Sequence, residues 1–341
     1  MAIDAITGEP SAWHVGGGNA DLGSASDGPV ITVDIEPIFD RRHDTTITLG
    51  AAELVLKGED RHAIRSVQHA SETLHIAVVA DGHGGKQAAS HCRRVLIDAL
   101  LAALHPPGET KPIPATGKAL RAAGRQVFLD VHTDVLSDKT HTAGSTLTLV
   151  VVNQDRHQAT VLHVGDSVVR LVPHRSRCVA LCEDHRIDTS ESERERLVAL
   201  GGLIARATNR RGEPAGPLRL WPGGVAQARA IGDRDVGQMI DARPFAKTIA
   251  LPVDETSCLV VCSDGVWDAM LPAAVDSMAR VGLGNSAEAT ARSIVQSALT
   301  QRHAYSSEGD QVPRDDTTCV VVLVQHPNDV IGGRKRAGCC S

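Results

Sequence analysis

The sequence predicts an α+β fold, antiparallel sheets covered by helices, and three observations carry that prediction. Short apolar runs are separated by polar turns, as in a meander of strands. Longer segments between them read as helices, the first with apolar residues at helical spacing. The two kinds of segment come in blocks (strand, two helices, several strands, two helices, strand), an order that fits antiparallel sheets under helical layers. No internal repeat or long linker interrupts them, so one domain over 41–326 is the simplest organisation.

Residues 1–40, with Gly16-Gly17-Gly18 and a polar stretch at 23–28, read as a flexible arm. Strand alternation begins at Ile47-Thr48-Leu49 and returns in the apolar run 74–80. Ala89, Cys92, Val95, Leu96, Ala99, Leu100 and Ala103 recur at the spacing of one helix face, which predicts a helix over 86–104. His105-Pro106-Pro107-Gly108 stops it. A second helix is expected over 117–136, followed by three strands at 146–152, 159–164 and 168–172 that read as a meander. Ser190 with the acids after it suits a capped helix over 190–200. The stretch 201–224, rich in Gly, Pro and Arg, lacks a period and reads as a functional or mobile loop. Helices at 272–281 and 287–299, a polar loop and a strand at 317–325 complete the domain, and 327–341 reads as a flexible tail.

Composition narrows the function. At 341 residues with 42% hydrophobic and 22% charged content, the chain suits an ordinary soluble globular protein with a large core. Aromatics make up only 2%, so Val, Leu, Ile and Ala must build that core, and their scarcity argues against a stacking surface for single-stranded nucleic acid. A formal charge of −6 gives no reason to bind DNA or an anionic membrane. No apolar stretch approaches the roughly 18 residues of a membrane span, and the first thirty residues lack the basic start and apolar core of a secretory signal. The eight cysteines show no Cys-x-x-Cys spacing and mostly lie in apolar runs, as buried thiols in a reducing compartment do. A cytoplasmic or nuclear monomer is expected.

The chemistry lies at the strand ends. Asp81-Gly82-His83-Gly84-Gly85 directly follows the run 74–80. Ser263-Asp264-Gly265 follows the run 258–262, and Asp315-Asp316 precede the run 319–324. A lone Asp-Gly is usually a turn, but three acidic motifs at strand ends suggest one metal centre assembled from several strands. Glu59-Asp60 and Asp268 add candidate oxygen ligands. Magnesium and manganese prefer such ligands, and a pair of these ions can lower the pKa of a water held between them and offset phosphate charge. His83 is placed to protonate a leaving alkoxide. Gly84-Gly85-Lys86 is no phosphate-binding loop, since Ala80 stands where its first glycine belongs and Gln87 where Ser or Thr is required. There is no His-Glu-x-x-His of a zinc protease.

Eight segments in order resemble the metal-dependent serine/threonine phosphatases of type 2C, the PPM family. They are Glu59-Asp60, Asp81-Gly82-His83-Gly84-Gly85, Ala143-Gly144-Ser145-Thr146 and Val164-Gly165-Asp166-Ser167, then Glu183-Asp184-His185, Arg229-Ala230-Ile231-Gly232-Asp233, Ser263-Asp264-Gly265-Val266-Trp267-Asp268 and Arg314-Asp315-Asp316-Thr317. The resemblance covers about residues 47–325. It implies a four-layer α-β-β-α sandwich with two ions, Mg²⁺ or Mn²⁺, at one end. Asp81 would bridge them, Glu59 and the Gly82 carbonyl would serve one, Asp264 and Asp315 the other, and His83 would be the general acid. Asp166 and Asp268 match positions that, with Asp264, hold a third, weaker ion in some members. The stretch 201–224 falls where the family has its flap, and Arg206, Arg210, Arg211 and Arg219 there are candidate contacts for a phosphopeptide.

Two positions depart from the family. The arginine that docks the substrate phosphate is replaced by Val55, leaving Lys57, Arg61 or Arg65 as substitutes, and Asp316 stands where Asn is common. The tail Gly333 to Ser341 lacks the cysteine that prenylation requires, so palmitoylation of Cys339 and Cys340 is the one lipidation it suggests. The reading is therefore a phosphatase acting on phosphoserine and phosphothreonine in proteins. The alternatives are a catalytically weak or dead member that binds phosphoproteins as a regulator, and a hydrolase of small phosphate esters.

Overall fold

The computed structural model describes residues 38–39, 45–301, 315–329 and 331. The expected arm at 1–40, apart from Ile38–Phe39, and the tail with Cys339 and Cys340 lie outside the described residues.

Two antiparallel sheets carry the architecture. The first runs β1 (Ile38–Phe39), β2 (Thr46–Leu54), β16 (Thr317–Gln325), β15 (Ser257–Cys262), β9 (Val168–Pro173), β10 (Val179–Ala180). The second runs β14 (Phe245–Ala250), β8 (Gln158–Val164), β7 (Leu147–Asn153), β4 (Glu72–Ala80), β3 (Arg61–His69). A small group, β13 (Ile231–Gly232), β6 (Gly144–Ser145) and β5 (Gly82–His83), lies at the site, and β11 (Leu203–Thr208) and β12 (Pro214–Trp221) form a separate hairpin. The helices are α1 (Gln87–Ala103), α2 (Gly117–Ser137), α3 (Glu191–Ala199), α4 (Asp264–Trp267), α5 (Pro272–Gly282) and α6 (Ala287–Thr300).

The period of two along a strand explains the layering, because neighbouring side chains point to opposite faces. In β4, Leu74, Ile76 and Val78 pack under α1 and α2, while Ala77 and Val79 enter the core between the sheets. In β15 and β16, Leu259, Val261, Val320 and Val322 face that same middle core. Their neighbours Cys258, Val260, Cys262, Cys319 and Val321 face α5 and α6. These strands are buried on both sides, which is why they read as continuous apolar runs rather than alternating ones. Each fully buried Val or Leu contributes about 1.5–3 kcal/mol, so three such cores suffice with Phe128 as the one phenylalanine among the largest fully buried side chains. The α-β-β-α sandwich that the resemblance implies is the fold observed.

Three expectations need correction. The run 168–172 does not continue a meander with the two strands before it. β9 crosses to the other sheet and pairs with β15 and β10, because Gly165 at φ +103° turns the chain sharply out of β8. The stretch 201–224 is not an irregular loop but the hairpin of β11 and β12, whose register shift between Arg206 and Ala207 breaks the alternation that would have revealed it. Ser190 occupies the N-cap of α3 but its side chain accepts no capping hydrogen bond, its hydroxyl lying 3.4 Å from that of Ser192. Among the described residues no helix is long and apolar enough to cross a membrane.

At the end of the sandwich remote from the acidic motifs, the carboxylate of Asp329, 1% exposed, accepts the Thr256 N–H at 2.7 Å and pairs with His174 and Arg175. Burial alone would raise its pKa, but these donors outweigh it and hold the group below the usual carboxylate range. A depressed folded pKa stabilises above the unfolded value and is lost as pH falls through the folded one. Asp329→Asn is accordingly expected to lower the melting temperature at pH 7 by about 2–8 °C. Melting curves recorded down to about pH 3 should show that difference shrink; a gap that stayed constant with pH would contradict this account.

Candidate metal centre

The antiparallel registers bring the acidic motifs to one end. Cys262 lies opposite Cys319, so Asp264 just beyond β15 and Asp315 just before β16 emerge together. Leu54 lies opposite Thr317 and Arg61 opposite Ala80, so the loop 55–60 crosses from one sheet to the other at the same edge. β4 and β8 both run antiparallel to β7, which sets Asp81 and Asp166 at that edge too.

Asp81 is held by its main chain. Its carbonyl accepts the Thr146 N–H at 2.8 Å and the Ser145 hydroxyl at 3.1 Å, and its own N–H donates to Thr146 Oγ1 at 3.1 Å. The next residue must be glycine, because a Cβ at Gly82 would sit 2.6 Å from the Glu59 carbonyl oxygen and 3.2 Å from Ala89 Cβ. The Asp264 N–H, at the start of α4, points at Asp81 Oδ2 from 3.4 Å.

Among the described residues, Asp81, Asp166 and Asp264 each offer an oxygen within 4.8 Å of the others. Asp166 Oδ1 and Asp264 Oδ1 are buried without a hydrogen-bond partner. Burial, then the charges of Asp264, Asp60, Asp166 and Asp315, push the Asp81 carboxyl well above its ordinary pKa. Asp264 is pushed up in the same direction by burial and by Asp166, Asp268 and Asp315. Asp60, whose Oδ2 accepts the Thr318 hydroxyl at 2.8 Å, is raised to about 7 by its burial. Orphaned carboxylate oxygens at this density fit a divalent cation, and an all-oxygen donor set fits Mg²⁺ or Mn²⁺ rather than zinc.

The other predicted ligands lie around this group. Glu59 Oε1 accepts the Gly85 N–H at 2.7 Å, and Asp315 Oδ2 pairs with Lys57 Nζ at 2.5 Å. Lys57 is thereby drawn into the site, its pKa raised because Asp315, Glu59 and Asp264 outweigh the opposing effect of its burial. Arg61 is engaged elsewhere, with Ser90 Oγ at 3.1 Å and the carbonyls of Gly58 and Asp60. Val55, where an arginine was expected, is 47% exposed. Arg206 bonds the Gly216 carbonyl and Asp188, and Arg219 bonds the Gly224 carbonyl, so these two brace the hairpin.

His83 Nε2 lies 2.7 Å from Asp233 Oδ1. Burial would lower the imidazole pKa, but the Asp233 carboxylate against it, with Asp166 and Glu59 beyond, raises it. Asp233 fits only because residue 144 is glycine: a Cβ there would stand 2.2 Å from Asp233 Oδ1. This partner was quoted in a motif but given no role, and with 150 residues between them only the pairing of β13 with β6 and of β6 with β5 unites the two.

Asp316, singled out from the sequence as a strand-end acid of the metal centre, proves to be a loop anchor, and Arg186 escaped sequence reasoning altogether. Asp316 accepts five backbone N–H groups of the loop 56–60, from Leu56, Lys57 and Gly58 on Oδ1 and from Glu59 and Asp60 on Oδ2, at 2.5–3.2 Å. Arg186 bridges Asp166 and Asp268 at 2.8 Å each, the two positions assigned by resemblance to a third ion. The adjacent Glu183-Asp184-His185 motif was the only signal for Arg186.

Comparison with known proteins agrees with this geometry. The family profile described as Protein phosphatase 2C matches residues 53–306. The probable protein phosphatase 2C 5 of Arabidopsis thaliana is 34% identical over 284 residues, covering 81% of this chain and 61% of that protein. The probable protein phosphatase 2C 3 of Oryza sativa subsp. japonica is 36% identical over 261 residues, 76% of this chain and 50% of its own length. The chain thus spans about half to two thirds of these curated relatives. Among solved structures, serine-threonine phosphatase 2C from Toxoplasma gondii superposes with a TM-score of 0.60 at 19% identity, over 87% of this chain and all of that one. A C. elegans sex determining protein gives 0.62 at 17% identity, over 87% of this chain and 65% of that one.

Proposed function

The chain belongs to the protein phosphatase 2C family, and from that premise we propose that it hydrolyses phosphoserine and phosphothreonine in proteins, using two Mg²⁺ or Mn²⁺ ions. The observation that carries the reading is the group Asp81, Asp166 and Asp264, with two orphaned oxygens, beside the His83–Asp233 pair. Asp81, Asp264, Asp315, Glu59 and the Gly82 carbonyl would hold the ions, which would supply an acidified water and neutralise phosphate charge.

The chain's own residues complete the chemistry. Thr146 and Ser145 fix the Asp81 main chain, so its carboxylate stays in place as charge shifts around it. Asp233 orients the His83 ring and favours its protonated form, as a donor to the departing serine or threonine oxygen requires. In the absence of an arginine at Val55, Lys57 is the residue assigned here to meet a substrate phosphate, a reading supported by its 46% exposure and its pairing with Asp315. A lysine meets phosphate as a point charge without the bidentate grip of a guanidinium, so substrate affinity suffers more than turnover.

The test is hydrolysis of a phosphothreonine peptide with manganese and with EDTA, run beside a nucleotide and a sugar phosphate. Turnover of the peptide that EDTA abolishes and manganese restores is the expected result. Preference for the small esters would overturn the protein-substrate reading. Manganese binding without any turnover would favour a phosphoprotein-binding regulator.

A further inference from the structure

We infer that Arg186 is a resident cation standing where a third metal ion would otherwise bind, so that this chain's centre fills with two ions only. The inference rests on the two-ion reading above and adds a residue that sets its stoichiometry.

The Arg186 guanidinium lies between two carboxylates. Its Nε donates to Asp166 Oδ2 and its Nη2 to Asp268 Oδ1, each at 2.8 Å. A metal ion shared by Asp166, Asp268 and Asp264 would need these same carboxylates. Gln227 Nε2 donates to Asp166 Oδ2 as well, at 3.1 Å, which leaves Oδ1 as the one oxygen of Asp166 without a protein partner.

This is more than a surface ion pair. The Asp166 side chain is 4% exposed, so its charge is shielded from water and needs a partner of opposite sign. The arginine is itself anchored: its backbone forms an isolated antiparallel bridge with Gln227, and its N–H donates to Asp184 Oδ1 at 3.0 Å. A guanidinium tethered in this way stays on its partners whatever the ion concentration. For an ion to enter between Asp166 and Asp268, two charge-assisted hydrogen bonds must break and the arginine must leave. Lysine here would supply a point charge but could not bond both carboxylates in a fixed fork.

The experiment counts Mn²⁺ ions bound per full-length chain, by electron paramagnetic resonance of the free ion as manganese is raised to large excess. The wild type is expected to saturate at two. Arg186→Ala should take up a third ion, weaker than the first two, and Arg186→Ala combined with Asp268→Ala should return to two. A third equivalent in the wild type overturns the inference while leaving the two-ion reading intact. So does an Arg186→Ala protein with native circular dichroism that still stops at two. Should that variant not fold, Arg186→Gln replaces it under the same criteria. A wild type that binds no manganese sinks the two-ion reading itself, and this inference with it.

Discussion

Asp264→Asn is expected to lower phosphopeptide turnover by at least about 10³-fold, equivalent to about 4 kcal/mol of barrier, while the chain stays folded. The substitution turns one of the three carboxylates that converge within 4.8 Å, whose Oδ1 has no protein partner, into a neutral amide with a single oxygen. Among the described residues nothing else depends on that Oδ1, so the fold has little to lose. It even gains, because Asp166, Asp268 and Asp315 crowd the same space with like charge. In EDTA the variant should therefore melt no lower than the wild type. In manganese the order reverses. An ion at about 100 times its dissociation constant stabilises the native state by about 2.7 kcal/mol, or several degrees in melting temperature, and the variant forfeits much of that. Kinetics and melting curves in both conditions read all of this together. Near-normal turnover would remove Asp264 from the metal centre, and collapse in EDTA would make it a structural residue.

The second large effect is expected at Asp316, a residue that touches neither substrate nor reacting atoms. Its carboxylate accepts all five N–H groups of residues 56–60. A carboxylate offers about four lone-pair sites and no donor, which matches a ring of donors better than any other side chain. Hydrogen bonds to charged groups contribute about 1.5–3 kcal/mol each, but a shared set does not add up in full. For Asp316→Ala a loss of about 3–5 kcal/mol is expected, lowering the melting temperature by about 10 °C. Asp316→Asn keeps one oxygen and turns an NH₂ toward the remaining amides, donor facing donor, so it should fall between. Because the loop carries Glu59 and Lys57, kcat/KM should drop more than about tenfold even at 10 °C, far below melting, where a purely global defect would be silent. Wild-type kinetics in the cold together with a lowered melting temperature would reduce Asp316 to a structural anchor.

Much of this centre was legible in the sequence, for a physical reason. A strand buried on both faces must be a continuous apolar run, and an acid at its end stands out from it. Asp81, Asp264 and Asp315 were singled out in that way, and β16 was bounded correctly at both ends. The helices 87–103 and 117–137 were legible because each presents one apolar stripe to a sheet. β3 left no such signal: Arg61–His69 is polar, lies at the sheet edge and is largely half-buried, so its strand character comes from pairing with β4. Partner choice across sequence was not legible either. Nothing local says that β9 leaves its neighbours for the other sheet. Nor does anything local say that Asp316 closes a loop 260 residues away, or that Asp233 reaches His83. Val55 was visible as a departure, but only the structure shows Lys57 drawn to Asp315 and Arg61 turned to Ser90.

The strands that serve two cores at once have a consequence for how such a chain can diverge. Deleting one residue from β4 or β15 would turn inward every side chain that now faces outward, inverting two cores in a single step. It would also drag the acid at the strand's end back by about 3.3 Å. Insertions and deletions are therefore confined to the connections, and inheritance must proceed by substitution within fixed strand lengths. Solved structures at 17–19% identity can then share this fold while most of the side chains differ.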